Sequence, residues 1–168
     1  MSMPMSEEIA LRTCREDDIE RIGEITVTAW EPAYEHYRDN LGDALFDAKY
    51  EGDWKAYKRG QVMEQCRRRL DQVFVADVDG RIAGYVTFRV NEGKGIGTIG
   101  NNAVDPAYQG RGIATSLYKR VLETFRERGL EFATVATGLE DTYAPARRAY
   151  EKVGFDIERP SVTYYQEL

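Results

Sequence analysis

The segment from Asn102 to Arg120, NAVDPAYQGRGIATSLYKR, contains a strand end, a proline, two glycines and an amphipathic helix in succession. Glycines let the backbone turn tightly and let a ligand approach it closely. The first N–H groups of a helix have no backbone partner and lie at the positive end of its dipole. This order of elements predicts an anion site suited to phosphate or pyrophosphate, with Arg111 as an added donor. An ordinary surface loop is the alternative.

Two common phosphate-binding motifs do not fit this segment. No GxxxxGK[ST] occurs in the chain, which excludes a P-loop, and Thr115 stands where the dinucleotide fingerprint GxGxxG requires its third glycine. A short GxG before a helix is weak evidence by itself. The remainder of the chain therefore has to decide between a ligand site and a loop.

Residue periodicity predicts a mixed α/β (α+β) fold, in which an antiparallel meander leads into a strand–helix–strand unit. Asp79-Gly80 suits the turn of a two-residue hairpin within the meander. The segment from Ala33 to Gly52 shows no clear period. Strands are predicted at Ile9–Thr13, Val73–Val78, Arg81–Val90, Gly97–Val104, Phe132–Thr137, Phe155–Glu158 and Val162–Glu167. Helices are predicted from Ile19 to Pro32, where the proline ends or bends the helix, and over Asp53–Leu70, Ile113–Gly129 and Thr142–Val153.

Length and composition indicate the broad class of protein. A chain of 168 residues with 42% hydrophobic residues suits a single domain, residues 1–168, with one sizeable core. The net charge of −6 argues against nucleic acid or a membrane surface as partner, because both are anionic. Two separate cysteines and a single histidine form no disulfide framework and predict no metal site. No signal peptide or membrane span is expected, so the predicted location is cytoplasmic.

Two motifs resemble those of the GNAT superfamily of acyl-CoA N-acyltransferases. QGRGIA, from Gln109 to Ala114, resembles the family's motif A, Q/R-x-x-G-x-G/A, and the preceding AVDP resembles its lead-in. ARRAYEKVGF, from Ala146 to Phe155, resembles motif B, in which a tyrosine is followed four residues later by Gly-Phe. Two motifs at the family's usual separation are far more specific than either alone. The resemblance is strong from Val73 to Phe155 and weak over the first seventy residues.

The resemblance implies a fold and a cofactor. The fold would be a mixed, mostly antiparallel central sheet, flanked by helices and splayed at the third strand of the meander. Acetyl-CoA would place its pyrophosphate on the glycine turn and its pantetheine arm along the splayed strand. The cofactor-binding residues so implied are Ala103, Val104, Gln109, Gly110, Arg111, Gly112, Ile113, Ala114 and Thr115.

The resemblance also implies a reaction, in which an N-acetyltransferase moves acetyl from acetyl-CoA to a primary amine by direct attack. Tyr150 occupies the motif B position whose tyrosine protonates the leaving thiolate. A phenol suits that task because it stays protonated at neutral pH yet can donate to a developing thiolate. Without motif B, core packing on the apolar face of its helix would be the simpler interpretation of Tyr150.

The amine acceptor, a small molecule or a peptide, is less defined. Trp30 and Tyr34 lie where the family forms its acceptor wall, although ordinary packing explains them equally well, and Asn101 and Asn102 can hydrogen-bond a substrate. Thr98 stands where some members carry a glutamate, so no general base is identified. Tyr143 replaces an asparagine that the family often has.

Three further expectations remain from the sequence. A catalytically weak acyl-CoA-binding sensor or partner-binding module is the main alternative function, motivated by the missing glutamate. A nucleotide-phosphate binder unrelated to CoA is a weaker one. The terminal strand Val162–Glu167 can also pair with a second copy, giving a homodimer.

Overall fold

The computed structural model describes residues 8–168 and contains a five-stranded sheet with helices on both faces. The strands are β1 Ile9–Thr13, β2 Val73–Val78, β3 Arg81–Asn91, β4 Ile96–Val104 and β5 Phe132–Val135. The α-helices are α1 Ile19–Leu41, α2 Asp43–Lys49, α3 Trp54–Arg68, α4 Ile113–Glu127 and α5 Ala144–Lys152.

The sheet follows chain order, β1-β2-β3-β4-β5. The first four strands pair antiparallel and β5 pairs parallel to β4. The parallel step requires a crossover connection, and α4 supplies it. The predicted mixed, mostly antiparallel sheet is therefore confirmed. The predicted hairpin turn is also present, with positive φ at Asp79 and Gly80.

Strand alternation divides the core between the two faces of the sheet. On one face, Phe74, Ala76 and Val86 pack with the buried face of α4. On the other, Val75 and Tyr85 pack with the apolar residues of α1 and α3. Since successive strand side chains point to opposite faces, β2 and β3 each contribute to both clusters and form nearly continuous buried runs. The helices are thereby held in fixed positions around the open part of β4.

Of the two alternatives predicted for Pro32, that it ends or bends the first helix, the end is wrong, because α1 continues through it to Leu41. Proline removes one helical hydrogen bond, but Ala33 and Tyr34 directly after it are buried. Tyr34 stacks on Trp54 of α3, with ring centroids 4.4 Å apart. Packing against a neighbouring helix thus outweighs the local signal.

The two predicted terminal strands are also wrong, since neither Phe155–Glu158 nor Val162–Glu167 forms a strand. A strand needs hydrogen bonds to a neighbour, and this segment forms no ladder with β5 or any other described strand. Phe155 packs partly buried against the core, but other large side chains of the segment are exposed, among them Ile157 and Tyr164. Within residues 8–168, no helix is long and apolar enough to cross a membrane.

Candidate active site

A cleft opens where β4 separates from β5. The two strands pair from Ile96–Phe132 to Ile99–Val135, and beyond Ile99 no described residue of β5 pairs with β4. On its other side β4 stays paired with β3, where Ala103 lies opposite Tyr85 and Val104 opposite Gly84. The predicted splay is confirmed. It leaves one edge of the β4 backbone from Gly100 to Val104 facing the cleft.

A β-bulge bends β4 at the point of separation. Val86 lies opposite Asn102 and Phe88 opposite Ile99, so β4 carries one extra residue. The Thr87 hydroxyl fills the bulge and donates to the Asn101 carbonyl at 3.0 Å. A Cβ on Gly100 would lie 2.6 Å from that hydroxyl oxygen, so the close approach requires glycine. The bulge brings Asn101 and Asn102 to the cleft wall.

The glycine turn lies at one end of the cleft. Gly110 and Gly112 have φ of 80° and 76°, which non-glycine residues rarely adopt, and no atom lies within 4 Å of where their Cβ atoms would be. The first N–H of α4 with a backbone acceptor is that of Ser116, which donates to Gly112 at 3.0 Å. In the described chain, the N–H groups of Ile113, Ala114 and Thr115 have no backbone acceptor. A helix start with such unused N–H groups can accept an anion.

The cleft encloses about 1610 Å³ and extends from this turn, along the open edge of β4, to α1 and α3. It therefore joins the two regions that the sequence assigns to the cofactor and to the acceptor. Of the residues predicted from the sequence, those lining the cleft are Trp30, Asn101, Asn102, Ala103, Val104, Gln109, Gly110, Gly112, Ile113, Ala114, Thr115 and Tyr150.

Two predicted residues lie elsewhere. Tyr34 is 4% exposed and packs behind the wall, with its ring centroid 6.4 Å from that of Trp30. Arg111 is exposed and stacks its guanidinium carbon 5.0 Å from the Tyr108 ring centroid. Tyr143, which replaces the family's asparagine, does line the cleft, and burial raises its pKa to about 12.

Tyr150 lies deep in the cleft, next to a second tyrosine. Its hydroxyl accepts a hydrogen bond from Asn102 Nδ2 at 3.2 Å, and Tyr118 donates to Asn102 Oδ1 at 2.5 Å. The two rings lie 4.8 Å apart between centroids. Burial raises the pKa of Tyr118 far above its usual range, so this phenol stays protonated. One amide thus bridges two phenols at the cleft wall.

A second polar cluster lies on the α1–α3 side of the cleft. Asn101 Nδ2 donates to Gln65 Oε1 at 2.7 Å, and Gln65 Nε2 donates to the Thr87 hydroxyl at 3.2 Å. The ammonium of Lys58 donates to Asn101 Oδ1 at 2.7 Å and to Gln61 Oε1 at 3.1 Å. The cluster is rich in amides and contains one cation.

Sequence reasoning missed Tyr118 and Lys58. Both carry a detectable signal, because each is polar on an otherwise apolar helical face. Tyr118 lies one turn after Ala114 of motif A. Lys58 stands between Trp54 and Val62 in an inward series with spacing four, where a charged side chain is unexpected.

The comparison with family models agrees with this geometry. The Acetyltransferase (GNAT) family model matches residues 30–155, three quarters of the chain. The chain therefore belongs to the GNAT family of acetyltransferases. The family and the fold expected from motifs A and B are thereby confirmed.

Individual relatives extend the comparison. The chain is 28% identical over 167 residues to S-(2-succino)cysteine N-acetyltransferase of Bacillus subtilis, covering 93% of both proteins. It is 29% identical to an uncharacterized N-acetyltransferase of Methanocaldococcus jannaschii, over 71% of this chain and 58% of that protein. The chain thus spans little more than half the length of the latter relative.

A solved structure shares the fold. It is PaiA N-acetyltransferase from Thermoplasma acidophilum in complex with coenzyme A, with a TM-score of 0.71 and 14% sequence identity. The superposition covers 92% of this chain and 93% of that one.

Proposed function

We propose that this chain, as a single N-acetyltransferase domain, transfers acetyl from acetyl-CoA to the primary amine of a small molecule. The observation that carries the proposal is one continuous cleft, which joins an anion-binding turn at Gly110–Thr115 to a buried phenol at Tyr150 along the open edge of β4. Acetyl-CoA has a pyrophosphate and a thioester at opposite ends of its pantetheine arm. These three parts correspond in order to the glycine turn, the phenol of Tyr150 and the open edge of β4 between them.

The residues of the cleft fit acetyl-CoA. The two glycines leave open space above their Cα atoms, and the N–H groups of Ile113, Ala114 and Thr115 are available to phosphate oxygens. On the open edge of β4, the N–H and C=O of Val104 are available to the amides of the pantetheine arm, whereas Ala103 lies opposite Tyr85 and directs its own backbone groups toward β3. Bound in this way, acetyl-CoA supplies the acetyl thioester to the acceptor.

The proton transfers follow from the side chains at the inner end. The acceptor nitrogen forms a bond to the acetyl carbon, and the carbon–sulfur bond breaks. Tyr150 gives its hydroxyl proton to the departing thiolate and is protonated again from solvent. Glu64 and Glu140 line the cleft, but in the described chain neither hydrogen-bonds Asn101 or Asn102, and we assign the proton of the acceptor amine to water.

The name of one relative supports a small-molecule acceptor. The B. subtilis protein, which this chain matches along nearly its whole length, is an N-acetyltransferase of S-(2-succino)cysteine, a small molecule with a primary amine. The α1–α3 side of the cleft offers amides and an aromatic ring to such an acceptor, from Gln65, Asn101 and Trp30.

The test is the release of free CoA thiol from acetyl-CoA in the presence of a panel of small amines and peptides. Thiol release that depends on one class of small amine is the expected result. Calorimetric binding of CoA without transfer to any acceptor would instead favour the acyl-CoA-binding module. Preferential binding of ATP at the same cleft would exclude both CoA functions.

A further inference from the structure

Lys58 is a buried cation that has no anionic partner among the described residues. It lies on the inward face of α3 and is 6% exposed. Its ammonium contacts two neutral amide oxygens, those of Gln61 and Asn101, and lies 4.2 Å from the ring centroid of Trp30. No carboxylate within residues 8–168 forms an ion pair with it. Burial alone lowers its pKa to about 8. A buried charge paired only with neutral groups is costly, which makes it a candidate for ligand binding.

The surroundings of Lys58 face the acceptor side of the cleft. Trp30 comes from α1, Gln61 from α3 and Asn101 from β4, and all three line the cleft. The ammonium therefore lies one residue layer behind the wall, at the meeting point of three elements. Gln61 makes the longer of its two hydrogen bonds and is itself exposed. A ligand group that displaces the Gln61 amide would reach the ammonium directly.

The charged side chains along the cleft wall also favour an anionic ligand. Its cationic members Arg68, Arg69 and Arg89 outnumber its carboxylates, Glu64 and Glu140, and Arg69 is itself paired with Asp71 at 3.0 Å. Glu64 is paired with Arg68 at 2.9 Å. The amide cluster around Asn101 adds further hydrogen-bond donors. An anionic group entering this side would be attracted, although the chain as a whole carries a net charge of −6.

We propose that the acetyl acceptor is an amine that also carries a carboxylate, as an amino acid does, and that this carboxylate binds the Lys58 ammonium in place of the Gln61 amide. This inference rests on the acetyl transfer proposed above. Lys58 is then a specificity residue for the acceptor. The ion pair converts an uncompensated buried charge into a paired one, so acceptors with a carboxylate gain affinity that matched neutral amines lack.

The first test uses the wild-type protein. Initial rates of thiol release are compared for L-amino acids, their carboxamides, the decarboxylated amines and O-phosphoethanolamine. The expected result is a kcat/KM about tenfold or more higher for carboxylates than for their carboxamides. Equal values, or a preference for the phosphate-bearing amine, would overturn the assignment while leaving acetyl transfer intact. If no amine at all supports thiol release, both the transfer and the assignment fail.

The second test uses Lys58→Met, which removes the charge but keeps much of the volume. Its acceptor KM should rise and its preference for carboxylates disappear, while the KM for acetyl-CoA stays as in the wild type. Lys58→Arg, which keeps the charge, should retain part of the preference. Lys55→Met is the matched control, because Lys55 is an exposed lysine of the same helix. A carboxylate preference that survives in Lys58→Met would refute the role of Lys58.

Discussion

The hydroxyl of Tyr118 donates a hydrogen bond to the side-chain oxygen of Asn102 across 2.5 Å. This bond fixes the amide, so the Asn102 nitrogen points at the hydroxyl of Tyr150, 3.2 Å away. Tyr150 is therefore an acceptor toward Asn102, so its own proton is not used in that bond. Because Tyr150 lines the cleft, a bound ligand can accept that proton. We infer that Tyr118 and Asn102 orient Tyr150 as a proton donor.

Replacing Tyr150 with phenylalanine tests this role. The ring remains, so packing against Tyr118 and Phe155 is kept, but the proton donor is lost. We expect kcat to fall about a hundredfold or more, while the KM for acetyl-CoA changes little. Tyr164→Phe, the same change at an exposed position, should leave both constants unaltered. Full activity of Tyr150→Phe at every pH would show that another group protonates the thiolate.

Tyr118→Phe tests the orienting bond separately. Without the Tyr118 hydroxyl, the Asn102 oxygen loses its donor and the amide is held only through its nitrogen, by Gly100 and Tyr150. The donor direction of Tyr150 is then less firmly fixed. We expect Tyr118→Phe alone to lower kcat. Added to Tyr150→Phe, it should lower kcat almost no further, since the two hydroxyls act as one unit. A double-mutant cycle measures this coupling. If the two losses multiplied, Tyr118 would act independently of Tyr150.

The elements at the proposed cofactor end of the cleft could be predicted from sequence because they are local. The hairpin at Asp79-Gly80, the strand to Val104 and the turn through Gly112 each depend on neighbouring residues. Turn chemistry and periodicity encode such features directly. All of them are present in the structure.

The acceptor side could not be predicted, because it is assembled from distant segments. In the sequence, Lys58 is a charged residue on an apolar helical face with no visible partner. Its partners Trp30 and Asn101 come from distant segments and meet it only in the folded chain. Pro32 indicates a helix end locally, but the packing of Tyr34 on Trp54 keeps α1 intact. The segment Val162–Glu167 alternates like a strand, yet it pairs with none of the strands that the structure describes. Tertiary contacts decide all three cases.

The glycine turn yields a comparison between two matched positions. Gly112 and Gly129 have φ of 76° and 73°, flank the same helix, and have no atoms within 4 Å of where a Cβ atom would lie. Alanine at either should lower the free energy of unfolding by about 1–2 kcal/mol, because φ is positive. Only Gly112→Ala should also raise the acetyl-CoA KM, since it displaces the N–H groups at the start of α4. Urea unfolding and initial rates measure the two effects. An equal rise in KM for Gly129→Ala would exclude a specific role for the turn.

Lys58 gives the fold a pH-dependent stability. Burial lowers its pKa from the ordinary lysine value of 10.5 to about 8, with no charged neighbour contributing. Between those two values the unfolded chain binds more protons than the folded one, so stability rises with pH over that window. Below about pH 8 the folded state carries the full cost of the buried charge, about 3 kcal/mol.

Lys58→Met lacks this titration, although the amides of Gln61 and Asn101 lose their donor at every pH. We therefore expect the free energy of unfolding of the wild type to rise relative to that of Lys58→Met between about pH 8 and pH 10.5. This change with pH does not depend on which protein is the more stable at neutral pH. Urea unfolding of both proteins at several pH values measures the difference, with Lys55→Met as the control for loss of one positive charge. If the free energies of unfolding of the wild type and Lys58→Met changed in parallel with pH, a lowered pKa of Lys58 would be contradicted. Lys58 would then titrate alike in the folded and unfolded states.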